Sequence, residues 1–224
     1  LDATVICIGD ELLSGDISDM NSVWLAKRLT DNGVAVKKII VIPDDIETIA
    51  DEIKRAATDK VIITGGIGPT HDDITRYGVA KAAGVGLVRD PEAVKIVTRV
   101  TCKPDALTMA DIPAGSGVIP NPVGAAPGFI VEGRIFVFPG VPSEMKAMFE
   151  HVMDMFTGKK MFVDWLISKR PESDLVSGLN EAVKKFPDVL FGSYPSGVVK
   201  IKMRSYDAEQ LRSAKKWLED RIRE

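Results

Sequence analysis

The stretch Val61–Asp73, VIITGGIGPTHDD, decides how this chain is read. Val61, Ile62 and Ile63 form a short apolar run of the kind found in a strand buried on both faces. Thr64-Gly65-Gly66-Ile67-Gly68-Pro69-Thr70 follows as a turn without a bulky polar side chain. Two carboxylates, Asp72 and Asp73, come next, and a helical pattern starts at Ile74. A strand, a glycine-rich turn and a helix start present bare backbone N–H groups to an anion. Carboxylates beside a phosphate repel it unless a divalent cation bridges the two. The same residues also make a tight strand-to-helix turn with Asp73 as its N-cap. The turn is not a Walker A loop, because no Gly-Lys-Ser/Thr follows, and it does not fit GxGxxG, which weakens a dinucleotide reading.

Upstream of this turn, Ala3–Ile8 is a near-continuous apolar run ending at Gly9-Asp10-Glu11. That places two more carboxylates at a strand's carboxyl end, the edge where open α/β sheets bind ligands. A helix follows over about Asn21–Asn32, with Trp24, Leu25 and Leu29 on its buried face and Gly33 as its C′ residue. Val34–Ile42 reads as a second strand. Pro43-Asp44-Asp45 then opens a helix whose apolar positions Ile46, Ile49, Ala50 and Ile53 fall at i, i+3, i+4 and i+7. Asp44 and Glu47 have capping-box spacing, so a structural role is open to Asp44 beside a chemical one. After the glycine turn, Ile74–Ala83 is helical and ends at Gly84. The β-α-β-α-β-α order argues for an α/β fold with a mostly parallel sheet and right-handed crossovers.

Downstream, Pro91–Val100 reads as a helix and Thr101–Ala114 has no clear pattern. Gly115–Gly128 reads as a short strand entering a rigid loop at Pro120-Asn121-Pro122-Val123-Gly124. Phe129–Val131 and Ile135–Phe138 are strands about a turn at Glu132-Gly133. Pro139-Gly140-Val141-Pro142-Ser143-Glu144 is a second strand-to-helix turn, with Pro142 suited to the first helical turn. Its helix is expected to run to about Phe156 with a stripe of Met145, Met148, Phe149, Val152 and Met153. Gly158-Lys159-Lys160 marks a boundary between a domain over 1–157 and a small α+β subdomain over 158–224. The subdomain reads as strand Met161–Ser168, helix Pro171–Phe186, a hairpin of Val189–Tyr194 with Val198–Arg204, and a closing helix Asp207–Arg223. Leu175, Leu179, Val183 and Phe186 are the apolar positions of its first helix.

With 224 residues, 45% of them hydrophobic, the chain can bury a full core. A net charge of −3 implies no broad basic surface, which argues against nucleic acid as a main partner. No apolar run approaches the roughly 20 residues of a membrane span. The first residues read as a strand and not as a signal peptide, which fits a cytoplasmic setting. Two cysteines without paired spacing give neither a disulfide nor a metal framework, and Cys7 reads as core. The two histidines complete no zinc pattern.

Five motifs occur in order: Gly9-Asp10-Glu11-Leu12-Leu13-Ser14-Gly15, Asn21-x-x-Trp24-Leu25-Ala26, Thr64-Gly65-Gly66-Ile67-Gly68-Pro69-Thr70-x-Asp72-Asp73-x-Thr75, Pro120-Asn121-Pro122-Val123-Gly124 with Pro127-Gly128, and Phe138-Pro139-Gly140-Val141-Pro142-Ser143-Glu144. Together they resemble the amino-terminal part of the CinA (competence/damage-inducible protein) family, within the MoaB/Mog molybdopterin-binding domain superfamily. The resemblance covers about residues 3–156, and the final hairpin resembles the family's small second subdomain. It implies a three-layer MoaB/Mog-like fold. In the Mog branch two aspartates serve molybdopterin chemistry, and by local motif they match Asp44 and Asp73. CinA-type domains are linked with metal-dependent hydrolysis of ADP-ribose-like pyrophosphates, and related domains of FAD synthases with FAD hydrolysis. The nicotinamide-mononucleotide deamidase domain of many full-length CinA proteins has no counterpart here, so that activity is not expected. Residues 97–106 look shorter than the corresponding family stretch. Related domains self-associate, so a homo-oligomer is expected.

Two functions follow. The first is a pyrophosphatase using Mg²⁺, Mn²⁺ or Co²⁺, with Asp44 and Asp73 catalytic and Asp10, Glu11, Asp44 and Asp73 as metal ligands. Thr64, Gly65, Gly66, Gly68, Pro69 and Thr70 would hold phosphate, with Asn121, Gly124, Pro139, Gly140 and Ser143 completing the pocket. The second is a molybdopterin-binding or transfer protein that uses the same pocket without hydrolysis.

Overall fold

Strand β1 (Asp2–Ile8) is buried at every residue after its first. It pairs in parallel with β2 (Ala35–Ile42) on one side and β3 (Lys60–Thr64) on the other. In this computed structural model, which describes residues 1–223, the sheet continues through β8 (Ile135–Phe138), parallel to β3. It closes with β7 (Gly128–Val131) and β6 (Gly117–Ile119), both antiparallel, giving the order β2-β1-β3-β8-β7-β6.

Successive strand residues face opposite sides of a sheet, and here each side has its own core. Ile6, Ile8, Val61 and Ile63 pack with Ile49, Ile53, Val79 and Val97. These come from α3 (Ile46–Arg55), α4 (Thr75–Ala83) and α5 (Pro91–Val100). Val5, Cys7 and Ile62 pack with Leu25, Leu29, Met145 and Phe149, from α2 (Asn21–Asp31) and α6 (Pro142–His151). Helices on both faces make three layers, the α/β arrangement of a mostly parallel sheet.

Several local expectations change. Residues 10–13 form a one-turn helix, α1 (Asp10–Leu13), directly after β1. Asp45, not Asp44, caps α3: its Oδ1 accepts from the Thr48 amide at 2.8 Å. Helix α6 stops at His151, and a 3₁₀ turn over Met153–Phe156 follows. The unpatterned stretch after α5 holds a 3₁₀ helix, Pro104–Ala110, leading into β5 (Asp111–Pro113). A strand that was not anticipated, β4 (Leu87–Arg89), pairs antiparallel with β5.

The chain divides into two compact units, the first over Leu1–Gly158 and the second from Lys159 onward. The second unit has a three-stranded antiparallel sheet, β9 (Phe162–Ser168), β10 (Leu190–Ser196) and β11 (Val198–Ser205), in the order β10-β11-β9. Helices α7 (Glu172–Lys185) and α8 (Ala208–Arg223) complete it. Its core joins Leu166, Ile201 and Met203 to Leu175, Ala182 and Leu218. Val183, expected inside, is 51% exposed, and Ala182 takes the inward position.

Candidate functional site

Chain direction across the sheet reverses at β1: the next strand lies on one side and the one after it on the other. Ligands of open α/β sheets bind at the carboxyl ends of strands at such a switch point. The segments after β1, β3 and β8 meet there, and Glu11, Thr64, Gly65, Gly66, Gly68, Pro69, Asp73, Pro139 and Gly140 all line one cleft. The cleft holds about 750 Å³, within the usual range for a small-molecule site.

The glycine corner owes its shape to close approach. Gly65 has φ +105° and donates its amide to the Phe138 carbonyl at 3.1 Å. A Cβ there would lie 2.2 Å from the Ile8 carbonyl oxygen, so the end of β3 sits against the end of β1 only because residue 65 has no side chain. Gly66, at φ +64°, leaves room for Thr75, whose hydroxyl donates to the Gly65 carbonyl at 2.9 Å. The Gly65 amide is therefore spent in the sheet and cannot bind an anion, contrary to expectation. The N–H groups of Gly66, Ile67 and Gly68 donate to nothing among the described residues.

Behind these amides lies Arg76, which is 3% exposed. Its guanidinium donates to the Ile67 carbonyl at 2.9 Å and the Asp73 carbonyl at 3.3 Å, so it ties both ends of the loop together. Burial lowers its pKa, but a guanidinium stays charged in a protein. The loop thus carries free amides and a buried positive charge bonded to its own carbonyls. Asp73 does not cap α4; the residue at that cap is Ile74, with no side-chain bond. Asp73 Oδ2 instead accepts from the Thr70 amide at 2.8 Å and from the Thr70 hydroxyl, which leaves Oδ1 outside those two bonds.

Asp10 and Asp44 bind each other's backbone. The Asp10 amide donates to Asp44 Oδ2 at 3.1 Å and the Asp44 amide to Asp10 Oδ1 at 3.4 Å. Burial raises the pKa of Asp44, and the charges of Asp10, Glu11 and Asp72 raise it further, against the Asp10 amide bond. Asp44 lies behind Gly66, with Oδ1 3.3 Å from where a Cβ would stand. Asp10 and Asp44 do not line the cleft, whereas Glu11 and Asp73 do. The four expected metal ligands therefore do not form one set, because two of them are turned toward backbone amides. Among the described residues no group of three or more His, Cys, Asp or Glu side chains could hold a metal ion. Glu11 and Asp73 are the two carboxylates of that set on the cleft wall, too few for an all-protein cage.

Asn121 is fully buried and its side chain is saturated. It donates to the Ala126 carbonyl at 2.8 Å and Glu144 Oε2 at 2.7 Å, and it accepts from the Val123 and Gly124 amides at 3.0 and 2.7 Å. An amide has no bond left for a ligand after these four, so Asn121 holds its loop in shape. Gly124 makes room for the Glu144 carboxylate, which would lie 2.2 Å from a Cβ. Thr70, Asn121, Gly124 and Ser143 are absent from the cleft wall.

The wall instead includes Asp19, Asn21, Lys103 and Glu144, which sequence reasoning did not single out as site residues. Asp19 accepts from the Ser22 amide at 3.0 Å at the start of α2. Asn21 donates to the Gly140 carbonyl at 2.7 Å, and its buried Oδ1 has no partner. Asn21 and Glu144 both sit inside motifs noted in the sequence, so a signal for them existed. Lys103 lies in the unpatterned stretch and had none. Cys7, paired beside Thr64 across β1 and β3, is fully buried, and burial pushes its thiol up to about 12, which the Thr64 hydrogen bond only partly opposes.

Comparison with known proteins assigns the chain by class first. Residues 4–158 match the family described as a probable molybdopterin binding domain. Residues 160–224 match the middle domain of FAD synthase. The chain belongs to the molybdopterin-binding domain family, of MoaB/Mog type. Within that class it is CinA-like. A CinA protein of unknown function from Thermoplasma acidophilum shares 35% identity with a TM-score of 0.65, over 69% of this chain and 97% of that one. A protein of Archaeoglobus fulgidus is 40% identical over 220 residues, 96% of each chain. One of Pyrococcus furiosus is 40% identical over 87% of this chain and 85% of its own.

Proposed function

We propose that the cleft binds a phosphate-bearing nucleotide or pterin, and that with a divalent metal it hydrolyses the pyrophosphate of an ADP-ribose-like substrate. One observation carries the reading: the amides of Gly66, Ile67 and Gly68 are unengaged in a loop whose Ile67 carbonyl is held by the buried Arg76 guanidinium. Successive unengaged backbone amides close to a positive charge can serve as an anion receptor. Glu11, Asp19, Asp73 and Glu144 line the same cleft against one lysine. A bare diphosphate meets net repulsion there, and a divalent cation bound to it removes that repulsion.

Asp73 is left free to act as a base, because Glu11, on the same wall, is the residue that would hold such a cation. When bound, it polarises the phosphoryl group. The chain's own work is to orient and exclude. The loop amides fix the phosphate oxygens. Thr70 locks the Asp73 carboxylate through Oδ2, so that Oδ1 can take a proton from an attacking water. Ile8, Leu12, Ile17, Met109 and Val141 give the cleft apolar walls that limit access of other waters. Water then attacks one phosphorus of the diphosphate, the bridging P–O bond breaks, and ADP-ribose yields AMP and ribose 5-phosphate.

The family match favours a second reading, in which the cleft holds a molybdopterin-like ligand without hydrolysing it. Incubation with ADP-ribose and Mg²⁺, Mn²⁺ or Co²⁺ separates the two. AMP should appear, and Asp73→Asn should abolish it while leaving the fold intact. No AMP with any of the three metals sinks the hydrolytic reading and leaves the binding one.

A further inference from the structure

We propose that Lys103 is the phosphate clamp of the cleft, a positioning cation from the segment between α5 and β5 that binds the non-bridging oxygens of the ligand's diphosphate. This rests on the reading of the cleft as a diphosphate site. Lys103 is the one lysine or arginine on the cleft wall among the described residues. Its ammonium enters no hydrogen bond or ion pair there, although Glu11, Asp19, Asp73 and Glu144 line the same cleft. A side chain with three donors and none engaged, beside an anion receptor, is available to a ligand.

The segment that presents Lys103 is held in place. The Thr101 amide donates to the Val97 carbonyl at 2.9 Å and so finishes α5. The Lys103 amide donates to the Thr101 hydroxyl at 3.3 Å. Pro104 follows, which favours an extended residue before it, and Lys103 has φ −68° and ψ 128°. Ala106, Met109 and Ala110, just beyond, are buried in the core. Arg99, on the last turn of α5, also donates to the Asn121 carbonyl. The lysine stem is thus free while its backbone is fixed, which reduces the entropy lost on binding. A charge-assisted hydrogen bond of this kind is worth roughly a tenfold change in affinity at an exposed position.

The test is calorimetric titration of the full chain with α,β-methylene-ADP, which resists hydrolysis, in Mg²⁺, and with adenosine as the ligand lacking phosphate. Lys103→Gln should weaken the diphosphate by roughly tenfold, leave adenosine unchanged and flatten the dependence of affinity on salt. Lys103→Arg should restore most of the loss. Tight wild-type binding with an unchanged affinity and salt slope in Lys103→Gln overturns the clamp. So does a variant that loses adenosine as well, which marks a structural role. A wild type that binds no diphosphate at all overturns the underlying reading, and the clamp with it.

Discussion

Replacing Gly65 with alanine tests the corner that shapes the cleft. Two penalties apply. An L-residue at positive φ costs about 1–2 kcal/mol, and Gly65 stands at φ +105°. The added Cβ would then meet the Ile8 carbonyl oxygen at 2.2 Å. That oxygen belongs to the backbone of a central buried strand and cannot rotate away, so the ends of β1 and β3 must separate. Overpacking of that kind costs about 1–3 kcal/mol more. The expected loss is therefore about 2–5 kcal/mol. Gly84→Ala supplies the control, because Gly84 also has positive φ, +70°, but open space around its Cβ position. It should show the backbone penalty alone, about 1–2 kcal/mol. Urea denaturation followed by the fluorescence of Trp24, with Trp165 and Trp217 changed to phenylalanine, reports on the first unit. If Gly65→Ala is no less stable than Gly84→Ala, the close approach of β3 to β1 does not shape the corner and the reasoning fails.

Other outcomes follow from the same geometry. Asp44 has a folded pKa above its ordinary value, so it favours the folded state most in acid and loses that contribution as pH rises through the folded pKa. Asp44→Asn, which keeps an acceptor for the Asp10 amide, should gain stability relative to wild type as pH rises above the ordinary carboxylate range of about 4; paired denaturation curves showing no such trend contradict this. Arg76→Leu should lose about 3 kcal/mol by leaving the Ile67 and Asp73 carbonyls without donors, and it should weaken pyrophosphate binding; a variant as stable as wild type would count against the tie. Asn121→Ala should release the loop it organises, seen as faster hydrogen exchange at the Val123 and Gly124 amides; unchanged exchange would show that other contacts hold the loop.

The sheet and its two helical layers were legible because burial on both faces leaves a simple mark. Runs such as Ala3–Ile8 and Val61–Ile63 have no polar alternation, and the α3 pattern is strictly helical. The glycine corner was legible as a place, but not in its division of labour. Nothing in a run of glycines says that residue 65 gives its amide to the sheet while 66 and 68 keep theirs. Adjacent aspartates hide their roles in the same way. Asp44 and Asp45 have equal capping chemistry, and only the backbone angle at Asp45 decides which one reaches Thr48. Asn121 looked like a ligand because it sits in a turn that could complete the pocket, and the sequence does not show that its own loop and Glu144 take up all its bonds. Glu144 reads in sequence as an ordinary acid in the first turn of a helix. Lys103 lies in an extended link just before a 3₁₀ helix, in a stretch without hydropathic period, so its place on the wall depends on tertiary packing.

The central claim is that the loop amides after β3 receive a phosphate. The most direct test is a titration of ¹⁵N-labelled protein with magnesium pyrophosphate, following amide resonances. Gly66, Ile67 and Gly68 should shift together and saturate, while Gly65, whose N–H stays on the Phe138 carbonyl, moves little. Saturable shifts confined to other parts of the chain, or none at all, would contradict the account.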